Sequence, residues 1–153
     1  MPTLSIKARA LRHLARREHS RAELERKLAA AMRKSEEPDL GEQIRRALDE
    51  LAARGLLSDE RAAESLLASH GRRFGSRRLK QSLLAKGLAP DLVAATVKQS
   101  RTTEAERARD LWKRRFGAIP TDAAQRLRQM RFLAGRGFDA DIIRRLVKGE
   151  EEG

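Results

Sequence analysis

The 153-residue sequence contains no cysteine and no tyrosine, and aromatic residues make up only 3% of it. The absence of cysteine excludes disulfide scaffolds, thiolate metal sites and cysteine nucleophiles. No apolar run approaches the roughly 18 residues that are needed to span a bilayer. The N-terminus lacks the long apolar stretch and small-residue cleavage site of a secretory signal. We therefore expect a soluble, cytoplasmic protein without a membrane partner.

Positive charge is the main compositional signal. Lys and Arg together number 34 against 22 Asp and Glu, which gives a formal net charge of +12 at pH 7. Such a balance favours an anionic partner, which would be nucleic acid, an acidic protein surface or a nucleoprotein. The alternative is a solvated polar face enriched in arginine by genome composition, and the excess of Arg over Lys is compatible with it.

The distribution of charge along the chain helps to decide between these readings. Residues 65–90 contain cations but no Asp or Glu, whereas opposite charges alternate in the N-terminal third. Solvated helix faces usually interleave charges, because each i,i+4 pair adds about 0.2–0.5 kcal/mol. An acid-free stretch gives up that benefit, so a partner explains it better. The predicted partner-binding residues are Arg72, Arg73, Arg77, Arg78 and Lys80, followed by Arg126, Arg128 and Arg131 from a second basic stretch.

Apolar spacing predicts α-helices almost everywhere, and no alternating run with hairpin turn chemistry predicts a strand. The first helix is expected to bury one face formed by Leu4, Ala8, Leu11 and Ala15. Ser20 with Glu23 fits a capping box. Later helices are expected to be capped or opened by Ser58, Ser76, Thr103 with Glu106, Thr121 and Asp139, and one of them to bury Leu127, Met130 and Leu133.

Short motifs recur along the chain. Arg73-Phe74-Gly75 corresponds to Arg115-Phe116-Gly117, and Lys86-Gly87 corresponds to Arg136-Gly137. The offsets of 42 and 50 residues indicate a longer middle helix or loop in the last unit, and such periods are typical of tandem helical modules. We predict an all-α fold of three tandem three-helix repeats that form an elongated, curved array. The expected repeats are 1–57, 58–101 and 102–153, the last with a frayed acidic tail.

The sequence offers little material for catalysis. The histidines His13, His19 and His70 lack the i,i+4 spacing of a metal-binding helix, and no Gly-Lys step exists from which to build a Walker A loop. The segment 135–140 matches a dinucleotide fingerprint in spacing only, because it follows a predicted helix rather than a strand. We therefore predict no catalytic residue, no metal site, no cofactor and no enzymatic activity.

Three-helix units also allow a helix-turn-helix interpretation. Arg77, Arg78 and Lys80 would then lie early in a helix that enters the major groove of DNA. Stacking on bases is a weaker possibility, because aromatics are few and Trp112 and Phe138 occupy positions typical of a core. A direct DNA-binding architectural protein is thus the alternative to a regulator that acts on a protein partner.

Residues 14–28, LARREHSRAELERKL, resemble the opening motif of RecX regulatory proteins. Later segments agree with the family in the same order, so that the resemblance covers nearly the whole chain. They are Leu51…Gly55-Leu56-Leu57-Ser58-Asp59-Glu60-Arg61, then Gly75…Leu79…Leu83…Lys86-Gly87, and finally Phe132-Leu133…Arg136-Gly137-Phe138…Ile142. The family often has Tyr where His13 stands and just before Gly75, whereas this chain has no Tyr.

The resemblance implies three tandem three-helix repeats and a non-enzymatic modulator of RecA, the recombinase that forms a helical filament on single-stranded DNA. RecX proteins are understood to dock in the filament groove, to bridge neighbouring protomers, and to suppress RecA ATPase, strand exchange and coprotease activity. That role belongs to DNA repair, DNA recombination and the SOS response. The implied partner is the RecA filament, with possible contact to single- or double-stranded DNA, and we expect the protein to be a monomer.

Overall fold

The computed structural model describes residues 4–149, and within them the chain forms nine α-helices and no strand. The all-α class and the array of helical repeats are therefore confirmed. We call α1–α3 repeat 1, α4–α6 repeat 2 and α7–α9 repeat 3. Their bounds are α1 Ile6–Arg16, α2 Arg21–Ala31, α3 Leu40–Ala53, α4 Asp59–His70, α5 Ser76–Ala85, α6 Pro90–Arg101, α7 Glu104–Arg115, α8 Ala123–Gly135 and α9 Ala140–Lys148. The predicted frayed tail lies, from residue 150 onward, outside the described residues.

Each repeat has its own small hydrophobic core. Leu24, Leu28 and Leu48 are fully buried in repeat 1, and Leu83 is fully buried in repeat 2. Trp112 and Phe138 pack in the core of repeat 3, as their positions in the sequence predict. Because the three cores are separate, the contacts between repeats are made mainly by helix ends and turns rather than by a continuous apolar layer.

The apolar faces of two helices differ from the prediction. In α1 the buried residue is Ala10, flanked by Ile6 and Leu14, while Leu4 and Leu11 are exposed. Both sets of residues have helical spacing, and packing against α2 and α3 selects the smaller residue at the centre. In α8, Leu127 is also exposed.

A buried amide takes the core position on α8 that a leucine occupies in the other repeats. Gln129 is 6% exposed, and its Oε1 accepts a hydrogen bond of 2.8 Å from Trp112 Nε1. Its Nε2 donates to the carbonyl of Ala118 at 2.9 Å, which holds the connection between α7 and α8. Both polar groups of the amide are satisfied, so its burial carries little penalty.

Local capping signals predict some helix starts correctly. Ser20 and Glu23 form the predicted capping box, and Ser58 and Asp139 cap α4 and α9. Three other predictions are wrong. The box of Thr103 with Glu106 does not form, α8 is capped by Asp122 rather than opened by Thr121, and Ser76 is the first residue of α5 rather than its cap.

Repeats 2 and 3 meet where the N-terminus of α5 packs on the turn between α8 and α9. The backbone N–H groups of Gly75 and Arg77 donate to the carbonyls of Arg136 and Gly137, at 2.8 Å and 3.0 Å. Repeats 1 and 2 meet in the same way. Ser20, at the N-terminus of α2, donates its hydroxyl hydrogen to the carbonyl of Lys86 in the turn between α5 and α6.

We call these two contacts between repeats joints. Each joint also contains a carboxylate from the first helical residue of the following repeat. Asp59 accepts the backbone N–H of Arg21 at 2.8 Å, and Glu104 accepts that of Ser76 at the same distance. Glu104 is 2% exposed and also accepts from the Ser76 hydroxyl. An unpaired N–H at a helix start and the helix dipole both favour an anion there. Ser76 therefore does not cap α5, because the next repeat supplies the acceptors.

Glu23 lies in the first joint among three cations. Its carboxylate accepts from Arg17 and from Lys86 Nζ, the latter at 3.2 Å, and lies 4.0 Å from Lys27. Burial by itself would raise the pKa of Glu23. The hydrogen bonds from Arg17 and Lys86 outweigh burial and lower the pKa from 4.5 to about 2.

The substitution Glu23→Gln is expected to remove part of the acid sensitivity of the protein. A carboxylate with a depressed pKa stabilises the fold above its unfolded pKa, and this stabilisation is lost as the pH falls from 4.5 towards about 2. We expect the free energy of unfolding of the wild type to exceed that of the variant by about 2 kcal/mol at neutral pH. The difference is no larger because the half-exposed Arg17 weakens the ion pair with Glu23. Urea unfolding of both proteins between pH 7 and pH 2 measures the difference. A gap that stays constant over this range would contradict the assignment.

Candidate functional site

The predicted binding residues of the middle stretch are free of ion pairs. Arg72, Arg73, Arg77, Arg78 and Lys80 are exposed and contact no carboxylate within residues 4–149. In repeat 1, by contrast, neighbouring charges do pair along the helices, as in Arg45–Glu42 at 2.8 Å and Arg54–Glu50 at 3.2 Å. The contrast in charge distribution that the sequence displays is therefore also present in three dimensions.

An open groove of about 700 Å³ lies at the junction of repeats 2 and 3. We call it the arginine groove. It is lined by Arg72, Arg73, Arg114, Arg115, Arg136, Leu111 and Phe132. A smaller depression beside it shares Arg72 and Arg114 and adds Arg107, Lys113 and Asp110. No carboxylate is among the residues that line the arginine groove itself.

Aromatic rings hold several of these guanidinium groups in place. The guanidinium carbon of Arg136 lies 5.2 Å from the ring centroid of Phe132 and 5.5 Å from that of Phe74. Arg115 lies 5.4 Å from the ring of Phe132, and Arg78 lies 4.0 Å from that of Phe74. A guanidinium that stacks by its face keeps its edge N–H groups available for a phosphate or carboxylate.

Arg107 anchors the loop between α4 and α5 beside the arginine groove. Its Nη1 donates to the carbonyls of Gly71 and Phe74, at 2.6 Å and 2.5 Å. Its Nη2 donates to the carbonyl and hydroxyl of Ser100, and its Nε donates to Thr103 Oγ1 at 3.0 Å. This one side chain of α7 thereby ties down the loop between α4 and α5, which carries Arg72 and Arg73. Burial lowers the pKa of Arg107 from its usual value.

The substitution Arg107→Lys is expected to destabilise the protein by about 2–3 kcal/mol. A lysine ammonium cannot donate at the same time to all the carbonyl groups that the planar guanidinium of Arg107 reaches. The loop that carries Arg72 and Arg73 should lose protection from amide hydrogen exchange. Chemical denaturation and exchange at residues 71–75 measure the two effects. Arg109→Lys, on the same helix, is the control. Equal stability of the two variants would show that Arg107 is not an anchor.

The predicted site residues do not form one cluster. Arg72 and Arg73 line the arginine groove. Arg78 stacks on the ring of Phe74, and its Nη1 donates to the carbonyl of Gly135 at 3.3 Å. Lys80 faces a different groove between α5 and α6. The exposed side chains of α8 that the sequence adds to the site are not among the groove residues; they are Arg126, Arg128 and Arg131.

The predicted site residues do not include Arg114, Arg115 and Arg136 of the groove, although these lie in basic stretches. One signal points to one of the three: the repeated Arg-Phe-Gly motif gives Arg115 the same place before Phe116 that Arg73 has before Phe74. Arg107 carries no signal, because a half-buried arginine bound to carbonyl groups looks like a solvated charge in the sequence.

The geometry argues against α5 as a DNA recognition helix. Such a helix must present its N-terminal residues to base edges. In repeat 2, Gly75 and Ser76 are buried against repeat 3, and Arg77 is bonded through its backbone N–H to the turn between α8 and α9. The side chains of Arg77 and Arg78 are exposed and can contact phosphates, but they cannot enter a groove together with the helix end.

Other kinds of site are not apparent in the described part of the chain. Residues 4–149 contain no group of three His, Asp or Glu side chains that could hold a metal ion. None of the nine helices in this range is long and apolar enough to cross a membrane. The fold and the groove together define a class: an all-α helical-repeat protein with an arginine-rich surface where two repeats meet.

Comparison with known proteins places the chain within that class. Two family models match it: the second three-helix domain of RecX at residues 58–97, and the third at residues 102–147. The regulatory protein RecX of Leptothrix cholodnii is 48% identical over 149 residues, which cover 96% of this chain and 90% of that protein. The regulatory protein RecX of Chromobacterium violaceum is 43% identical over 145 residues, 95% and 90% of the two chains.

A solved structure shares the same fold. The crystal structure of RecX from Lactobacillus salivarius aligns with a TM-score of 0.72 over 94% of this chain and 93% of that chain, at 20% sequence identity. The chain belongs to the RecX family. Its relatives are named regulatory proteins rather than enzymes.

Proposed function

We propose that this RecX-family protein is a non-enzymatic regulator that binds the RecA–single-stranded-DNA filament in its helical groove. It would inhibit RecA ATPase, strand exchange and coprotease activity, acting in the cytoplasm as a monomer without a cofactor. The arginine groove is the observation that carries this proposal. Five arginines with no carboxylate among them form a surface suited to the acidic groups or exposed phosphates of a nucleoprotein.

Inhibition follows if the bound protein prefers one filament state. A ligand shifts an equilibrium only by its differential affinity for the two states. A protein with three repeats in a row can contact neighbouring protomers at once, and it would then oppose the rearrangement that hydrolysis requires. We assign most of the contact to Arg72, Arg73, Arg77, Arg78 and Lys80, with Arg126, Arg128 and Arg131 secondary, and we add Arg114 and Arg136 from the groove.

The division of the chain into repeats is part of the proposal. We assign residues 1–57, 58–101 and 102–153 to three units, each with its own core, which act together as a binding surface. In this arrangement the joints between the units set the relative positions of their basic side chains, because the joints consist of directional hydrogen bonds.

The test is RecA ATPase on saturating single-stranded DNA, titrated with this protein far below the concentration of DNA sites. Inhibition at such ratios would support action on the filament, since too few molecules are present to cover the DNA. Inhibition only near the concentration of DNA sites would overturn the proposal and indicate sequestration of DNA.

A second candidate function is direct binding of DNA, which the stacked arginines of the groove favour. Salt dependence separates the two functions. Binding through phosphates loses affinity with a log–log slope of about −0.7 per contacted phosphate on single strands. A docked protein interface depends less on salt, so the slope measured with and without RecA identifies the partner that supplies the affinity.

A further inference from the structure

A second groove, separate from the arginine groove, lies between α5 and α6 of repeat 2. It measures about 400 Å³, and we call it the α5–α6 groove. It is lined by Lys80, Leu84, Pro90, Val93, Ala94, Val97, Lys98 and Arg101. Five of the eight lining residues are apolar. Leu84 is 51% exposed, whereas the leucine and valine side chains that form the core of repeat 2 are buried.

The residues of this groove are segregated along its length. Because α5 and α6 are neighbours joined by a short turn, Leu84 and Pro90 lie at the turn end. Lys80 lies one helical turn away along α5, and Lys98 and Arg101 lie two to three turns away along α6. The groove is therefore apolar at one end and cationic at the other.

The cations of the groove lack partners within the described chain. Lys80, Lys98 and Arg101 form no ion pair with a carboxylate of residues 4–149. Asp91 belongs to α6 but does not line the groove. The apolar lining exposes Leu84, Pro90 and Ala94, while Val93 and Val97 are buried beneath them. Exposed apolar side chains beside unpaired cations match a ligand that carries apolar and acidic groups together, and they do not match a phosphate backbone, which offers charge without apolar side chains.

We propose that the α5–α6 groove is a docking site for an acidic amphipathic helix of a partner protein. The helix places apolar side chains against Leu84, Ala94 and Val97. Its Asp or Glu side chains meet Lys80, Lys98 and Arg101. Docking of this kind is the helix-in-groove mode, in which anchors at i, i+3 and i+4 fill a hydrophobic cleft.

This inference does not depend on the proposed function, because the α5–α6 groove shares only Lys80 with the residues assigned to the filament contact, and its apolar lining has no part in that contact. A regulator of the filament would use the arginine groove for exposed anionic groups and the α5–α6 groove for a specific protein segment. The two surfaces can fail separately, and the probes below contain no RecA and no DNA.

The probe is a fluorescein-labelled helical peptide with leucines along one stripe and glutamates beside it. Its control is a scrambled peptide of identical composition in which leucine and glutamate do not segregate. Both are titrated into the full-length protein at physiological salt, with fluorescence anisotropy and backbone amide NMR shifts as readouts. We expect the ordered peptide to bind at least about tenfold more tightly, and to shift the amides of Leu84, Ala94 and Lys98.

Two variants test the two ends of the groove. Leu84→Glu and Lys98→Glu are each expected to weaken binding of the ordered peptide by about tenfold or more, by removing the apolar anchor and by reversing one charge. Leu127→Glu and Arg128→Glu, which change equally exposed residues of α8, are the matched controls and should bind as the wild type does. Circular dichroism confirms that each variant is folded.

Three results would overturn the proposal. The first is equal binding of ordered and scrambled peptides, which would show that net charge alone is recognised. The second is no saturable binding of either peptide. The third is evidence for a different site or ligand. An amide-shift pattern centred on the arginine groove would assign the peptide to a different site. Preferential binding of a single-stranded oligonucleotide that Lys98→Glu abolishes would assign a different ligand chemistry to the α5–α6 groove.

Discussion

The substitution Gly75→Ala is expected to destabilise the protein by about 3 kcal/mol and to loosen repeat 3 from repeat 2. A Cβ atom at this position would lie 2.5 Å from the carbonyl oxygen of Gly137 and from the Cα of Phe138. Both neighbours are backbone atoms of the turn that accepts hydrogen bonds from α5. The added methyl group cannot be accommodated by a side-chain rotation, so the joint itself must open.

Gly137→Ala should be at least as destabilising, because it combines a clash with backbone strain. Its φ is +83°, and a Cβ there would lie 2.5 Å from the Cβ of Arg78 and 2.6 Å from the Arg78 nitrogen. A left-handed conformation by itself costs a non-glycine residue about 1–2 kcal/mol. The clash adds the cost of moving the first turn of α5.

Two other glycines provide matched controls. Gly55 has φ of +73° but open space around the position of a Cβ, so Gly55→Ala should cost only about 1 kcal/mol. Gly135 lies within α8 and has nothing within 4 Å of that position, so Gly135→Ala should stabilise by up to about 1 kcal/mol through helix propensity. Urea unfolding of the four variants measures this order.

Hydrogen exchange at the joint provides the second readout. The amides of Gly75 and Arg77 donate across the joint, so Gly75→Ala should raise their exchange rates more than it raises those within the core of repeat 2. In a chain of repeats, weakening one interface reduces the coupling between units and can separate their unfolding transitions. If Gly75→Ala were no worse than Gly55→Ala, the joint would not be a tightly packed contact.

The parts of this fold that sequence predicts well are those determined by nearby residues. Apolar spacing locates the helices, and Ser20, Ser58 and Asp139 cap helices through acceptors in their own side chains. Several failures occur where a residue's partner is distant in the chain, although the two wrong caps at α7 and α8 are local. Ser76 does not cap α5 because Glu104, 28 residues further on, accepts its N–H. In α1 two apolar stripes compete, and only packing against α2 and α3 decides between them.

The candidate site shows the same division. The absence of acidic residues in 65–90 pointed to Arg72 and Arg73, which line the arginine groove. Arg114 and Arg136 join them only because α7 and α8 of the next repeat pack beside the loop between α4 and α5. A stretch of sequence can indicate that charge is unpaired, but the joint between two repeats determines which charges face one another.

Reversing the charge of the arginine groove is expected to abolish regulation while leaving the fold intact. Arg72, Arg73 and Arg114 are exposed, and replacing all three by Glu disturbs no core contact. Charge reversal at a cationic surface that contacts an anionic partner both removes attraction and adds repulsion. We expect the concentration for half-inhibition of RecA ATPase to rise by about 100-fold, equivalent to about 3 kcal/mol.

The matched control is the triple substitution of Arg126, Arg128 and Arg131 by Glu. It changes the net charge by the same amount on exposed side chains of α8 outside the arginine groove. We expect an increase of about tenfold or less, because these residues are assigned only a secondary role. Thermal melting of both triple variants verifies folding before the ATPase titration.

The comparison between the two triple variants separates location from total charge. If nonspecific attraction between a basic protein and an anionic filament supplied the affinity, both variants would lose inhibition equally, and moderate salt would reproduce the loss in the wild type. A larger loss in the groove variant would instead tie regulation to a surface that exists only where repeat 2 meets repeat 3. In that case Gly75→Ala, which opens the same joint without changing any charge, should weaken inhibition as well.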